Sequence, residues 1–171
     1  MLAILFGAGL RRAEAVSLDV EGYNPANGHL VVNGKGDRVR IAYCGTGARA
    51  ALEAWIQIRG DVAGPLLLAV NKGGRIDPEH KRLTTSALYG IVQRRAAAAG
   101  ISHFSPHDGR RTFAGELLDA GADLAAVQQL MGHARASTTT IYDRRPAAAK
   151  ARAAGLIHVP YVTRERDGQV H

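Results

Sequence analysis

Apolar residues recur at helical spacing along most of this chain, and one stretch departs from that pattern. Residues 2–6 read as the end of a buried helix, which Gly7 and Gly9 break before a second short helix over about 11–18. From Asp19 to Tyr43 the apolar positions contract into short runs. There "HLVV" and "VRIAY" flank the turn "NGKGD", which predicts a β-hairpin with glycines supplying positive φ, and the only sheet of the chain. Helical spacing resumes over 48–59, with Leu52, Trp55 and Ile56 on one stripe and Gly60 as the stop. A loop carrying "GPLLLAV" and "NKGGR" leads to a helix capped by Thr84 or Thr85, running to about Ala99 and ended by Gly100. Ser105 and Pro106 open the next helix, where the missing N–H of proline costs nothing, and it continues to about Asp119 before Gly121. Asp123 caps a helix through Met131 that Gly132 ends. Ser137 begins a short helix carrying Tyr142, and the Ala-rich stretch 146–154 forms a last helix stopped by Gly155. The expected fold is α+β, mainly α-helical, with a small antiparallel β-hairpin.

Composition narrows this picture. At 171 residues and 46% hydrophobic, the chain can build one real core, so residues 1–159 are expected to form one domain. Residues 160–171 turn polar and carry no cap, which predicts a flexible tail. Aromatics make up only 5%, so the core should be aliphatic. Lys and Arg number 22 against 15 Asp and Glu, a net +7 with a pI near 10.1, which points toward a nucleic-acid partner without establishing one. The single cysteine, Cys44, excludes an intramolecular disulfide and a Cys-rich zinc site and fits a reducing cytoplasm. The opening apolar run is too short for a secretion leader or a membrane span, so no membrane partner is expected.

The candidate chemistry lies in "SPHDGRRTFAGELLDAGADLAAVQQLMGHARASTTTIYDR". His107 and Arg110 stand three apart, on one helix face, where an imidazole and a bidentate guanidinium can meet the same phosphate. Each residue also has a plainer reading. Arg11 can pair with Glu14 at i+3 on a helix surface, Lys35 can be a solvated turn lysine, and His107 and His133 can serve helix ends. A zinc site from His103, His107 and His133 matches no usual ligand spacing.

The order of motifs weighs more than any one of them. "GLRRAE", "GKGDR" in a hairpin, H-x-x-R, "LMGH" and a Tyr after "STTTIY" follow one another over Leu10 to about Ala154, and in this the chain resembles the tyrosine recombinases of the phage-integrase family. The resemblance implies the DNA breaking-rejoining enzyme fold and site-specific recombination through a 3′-phosphotyrosine, without metal, ATP or other cofactor. It gives Arg11, Lys35, His107, Arg110, His133 and Tyr142 as catalytic residues, with Tyr142 as nucleophile and Lys35 as general acid. Arg94, Arg95 and Arg111 are further candidates for DNA contact. Gly109 stands where Leu is common and Arg111 where His is frequent; Gly109 removes a core side chain and weakens its helix by about 1 kcal/mol relative to Ala.

The expected partner is double-stranded DNA, with a tetramer on paired sites and a monomer in isolation. Family members carry an amino-terminal domain that closes a clamp around DNA, and since the chain begins just before Arg11, that domain is expected to be absent. Two other functions share these residues: a type IB topoisomerase-like enzyme, and a DNA-binding remnant that no longer cleaves.

Overall fold

The computed structural model of the chain describes residues 1–34 and 39–132. The expected helices over 137–154, the tail, and the residues Lys35, His133 and Tyr142 lie outside the described residues.

Two short helices, α1 (Leu2–Gly7) and α2 (Arg12–Ser17), open the chain. Between them Gly9 takes φ +58°, and an added Cβ would stand 2.4 Å from Cδ1 of Phe113. Only glycine lets the chain turn this close to that ring. A single 3-10 turn (Val20–Gly22) then leads into a three-stranded antiparallel sheet: β1 (Tyr23–Asn24), β2 (His29–Asn33) and β3 (Val39–Tyr43), paired in that order. The predicted hairpin is therefore present, with β1 as an added edge strand.

Register decides which side chains the sheet turns inward. Leu30 pairs with Ala42 and Val32 with Arg40. Leu30, Val32 and Ala42 are buried, so Arg40 shares the inner face. Val31 and Ile41, paired on the other face, are exposed.

Helix α3 (Thr46–Arg59) packs on α1 and stops at Gly60, whose φ is +83°. Arg59 is 4% exposed and donates to the carbonyls of Gly60, Val62 and Pro65, which folds the chain back after the helix. The stretch after it, expected to be a plain loop, instead forms isolated β-bridges: Asp19 with Pro65, Leu68 with Arg82, and Val70 with Ile76. The cause is burial of Leu66, Leu67 and Leu68, whose backbone must find partners away from water. The Leu66 amide donates to the Leu18 carbonyl at 2.8 Å, and the Leu83 amide to that of Leu67 at 2.9 Å.

Thr84 caps α4 (Thr85–Ala98), its hydroxyl accepting from the Ala87 amide. Ser105 caps α5 (Pro106–Asp119) in a reciprocal box with Asp108, and Asp123 caps α6 (Leu124–Met131), which ends at Gly132 in the left-handed region. The main core gathers α1, α2, the sheet, α3, Leu66 and Leu67, Leu83 and α4; a smaller one joins Ala114 and Leu118 of α5 to Val127 and Met131 of α6. Among the described residues the buried hydrophobic side chains are aliphatic apart from Tyr23, as the composition implied. Among the described residues no helix is long and apolar enough to cross a membrane.

Gly109 faces the Phe6 ring. An added Cβ there would meet the Phe6 ring at 3.5 Å, an ordinary contact, and Phe6 stacks on Phe104 with centroids 5.5 Å apart. The missing side chain costs helix propensity, and a methyl group there would pack on Phe6 without displacing it.

Candidate active site

Arg11 is the N-cap of α2, not its first helical residue, with extended backbone angles (φ −69°, ψ 152°). Glu14 at the third helical position reaches back to it. Its carboxylate accepts the Arg11 amide at 2.8 Å and Arg11 Nη1 at 2.6 Å. The paired reading of Arg11 and Glu14 is thus correct as geometry, but only Arg11 is exposed, while Glu14 is buried, 5% exposed.

From the inner face of β3, Arg40 donates Nη2 to the same carboxylate at 2.9 Å, and Nη1 to the Leu130 carbonyl at 2.9 Å. Arg110 Nη1 stands 3.9 Å from Glu14 as well. One buried carboxylate therefore gathers three guanidinium groups from α2, β3 and α5. Burial pushes the Glu14 carboxyl up, but the Arg11 amide, the Arg40 charge and the Arg11 guanidinium together outweigh it and hold the group below the usual carboxylate range.

Arg110 is 2% exposed, and its two terminal nitrogens donate in different directions. Nη1 reaches the Gly9 carbonyl at 2.5 Å, in the turn between α1 and α2, and Nη2 reaches the Met131 carbonyl at the end of α6. Arg11 Nη2 donates to the next carbonyl, that of Gly132, at 3.1 Å. The two arginines thus tie the end of α6 to α2 and α5. His133, Lys35 and Tyr142 lie outside the described residues, His133 directly following Gly132 in sequence.

These groups border an open pocket of about 400 Å³ lined by Arg11, Arg12, Ala13, Tyr89, Ser105, Pro106, His107 and Arg110. The predicted i, i+3 face is real: exposed His107 and buried Arg110 reach the same pocket from one turn of α5. Among the described residues three arginines and a histidine line it and no carboxylate does, so it suits an anion. Phosphate fits the chemistry, since guanidinium groups offer paired donors to its oxygens.

Arg94, Arg95 and Arg111 are exposed and are not among the pocket's lining residues; Arg111 stands 3.9 Å from Asp108. Sequence reasoning missed Glu14 as an organising group, Arg40 as its third cation, and Arg12 and Tyr89 as pocket walls. For Glu14 a signal existed: an acidic residue three after the cap, inside the apolar run that carries Ala15, Val16 and Leu18. Nothing in the local pattern marked Arg40, since its inward direction follows from strand register.

The family model described as the phage integrase family matches residues 1–148. Tyrosine recombinase XerC of Pseudomonas aeruginosa (strain LESB58) is 40% identical over 149 residues, covering 83% of this chain and 45% of the relative. XerC of Corynebacterium efficiens is 39% identical over 145 residues, covering 83% and 44%. The chain thus spans less than half the length of these relatives. Among solved structures, XerA recombinase superposes with a TM-score of 0.69 at 26% identity, over 93% of this chain and 57% of that one. XerH bound to its difH substrate before cleavage gives 0.69 at 27% identity, over 91% and 45%. The expected fold therefore holds in these solved recombinases.

Proposed function

Since the chain belongs to the phage integrase family, we propose that it is the catalytic part of a site-specific tyrosine recombinase, which cuts and rejoins double-stranded DNA through a 3′-phosphotyrosine at Tyr142. The observation that carries this reading is the convergence of Arg11, His107 and Arg110 on one pocket that, among the described residues, has no lining carboxylate. XerC relatives and the XerH structure bound to difH support DNA as the substrate.

In this reading the pocket holds the scissile phosphate. The Tyr142 oxygen attacks phosphorus in line, and its proton passes to a base of the site. A phenol with an ordinary pKa of about 10 needs a cationic setting to react at neutral pH, and Arg11 and Arg110 supply it. As phosphorus becomes five-coordinate, charge grows on its equatorial oxygens. Arg11 and Arg110 are already fixed by carbonyls and Glu14, so they can meet that charge without reorganising, and each such donor contributes about 10²–10³ in rate. His107 adds a hydrogen bond or carries a proton. The bond to the 5′-oxygen breaks, and Lys35 donates the proton that this leaving group needs. Attack by a 5′-hydroxyl on the phosphotyrosine reverses the step and reseals a strand, so no ATP is consumed. Lys35, His133 and Tyr142 take these roles from the family motifs they match. The enzyme would act in the cytoplasm as a tetramer on paired sites.

Covalent trapping tests the reading. The chain is incubated with nicked duplex DNA in excess chelator and quenched with detergent. The expected result is a protein–DNA adduct that disappears in Tyr142→Phe. Absence of an adduct when the clamp domain and candidate sites are supplied would leave binding without cleavage.

A further inference from the structure

Arg12 opens α2 directly after Arg11 and lines the same pocket, but its surroundings differ from those of the other two arginines. Arg11 is held by Glu14 and the Gly132 carbonyl, and Arg110 by the carbonyls of Gly9 and Met131. Arg12 is exposed, and among the described residues no carboxylate pairs with it. Its guanidinium carbon instead lies over the ring of Tyr89 from α4, 5.8 Å from the centroid. An aromatic face attracts a guanidinium without neutralising it, so the ring restrains the side chain at the pocket wall while its charge stays available.

A single phosphate has only two non-bridging oxygens, and the pair formed by Arg11 and Arg110 already suffices to meet them. A third arginine on the same wall therefore faces the rest of the polyanion. A DNA strand carries a charge at every nucleotide, so a neighbouring phosphate necessarily follows the one in the pocket. We propose that Arg12, braced by Tyr89, binds a second backbone phosphate adjacent to the scissile one and so fixes the register of the strand across the pocket. This rests on the DNA-cleaving reading above, and it assigns a role to two residues that the cleavage chemistry does not use. Such a contact positions the strand without reading its bases.

Binding of the full chain to a labelled duplex oligonucleotide is measured across a salt series for the wild type, Arg11→Gln, Arg12→Gln, Tyr89→Leu and the Arg12→Gln/Tyr89→Leu double variant. Each phosphate contact adds about 0.9 to the slope of log affinity against log salt. Arg12→Gln is expected to lower that slope by about 0.9 and to weaken binding several-fold at low salt. Tyr89→Leu should weaken binding with the slope kept, and its effect should vanish once Arg12 is gone. Thermal unfolding should be unchanged in Arg12→Gln, since the side chain is exposed. If Arg12→Gln keeps the wild-type slope while Arg11→Gln lowers it, the proposal is wrong and the DNA reading stands. If Tyr89→Leu weakens binding equally in both backgrounds, Tyr89 does not act through Arg12. If the wild type binds no duplex at all, both readings fall.

Discussion

Replacing Glu14 by Gln keeps the shape of the side chain and removes the charge around which Arg11, Arg40 and Arg110 assemble. The carboxylate accepts three hydrogen bonds: the Arg11 amide and Arg40 Nη2 on one oxygen, Arg11 Nη1 on the other. A Gln side chain has one oxygen. In its better orientation it keeps the first two bonds as bonds to a neutral acceptor and turns its NH2 toward Arg11 Nη1, donor against donor. Losing one charge-assisted bond costs about 2 kcal/mol, and weakening two others costs about 1 kcal/mol each. The sum, about 4 kcal/mol, agrees with the ~3–5 kcal/mol typical of removing one partner from a buried ion pair. Urea unfolding followed by circular dichroism should show that loss with an unchanged m-value. The pH dependence has a definite sign. The Glu14 carboxyl is held below its ordinary value in the folded chain, so its contribution is fully present above the unfolded carboxylate pKa and is lost as pH falls through the folded pKa. The gap between wild type and Glu14→Gln should therefore close in acid. A loss under about 1 kcal/mol at neutral pH, or a gap that stays constant into acid, would refute the view that Glu14 organises the three arginines.

Two further substitutions probe the scaffold and the site separately. Arg110→Lys keeps the charge but cannot reach the carbonyls of both Gly9 and Met131, so cleavage should fall by about 10²–10³ with stability lowered by about 1–3 kcal/mol, measured by single-turnover cleavage and urea unfolding. Gly109→Ala sits in a helix interior with room for the methyl beside Phe6, so it should raise stability by about 0.5–1 kcal/mol; a loss in thermal or urea unfolding would mean that α5 and α1 pack more tightly than described.

The helices were legible because their ends carry local chemistry. Thr84 and Asp123 cap as expected, Pro106 stands in the first turn as expected with Ser105 as the cap before it, and Gly60, Gly100 and Gly132 end or follow helices with positive φ. The edge strand β1 and the bridges around 65–82 were not legible, since they depend on partners far along the chain: Leu66 with Leu18, and Leu67 with Leu83. The same division runs through the site. His107 and Arg110 share a face by helical period alone, which sequence reveals. Arg40 joins Glu14 only because β3 pairs with β2 in a register that turns it inward. Arg12 meets Tyr89 only because α2 packs on α4.

The most direct measurement of the central claim is peptide mass spectrometry on the chain after reaction with nicked duplex DNA and exhaustive nuclease digestion. The account predicts a nucleotide remnant attached through its 3′-phosphate to the peptide containing Tyr142, and on that tyrosine. An unmodified Tyr142 peptide in a reaction that has cleaved DNA, or a remnant on another residue, would contradict it.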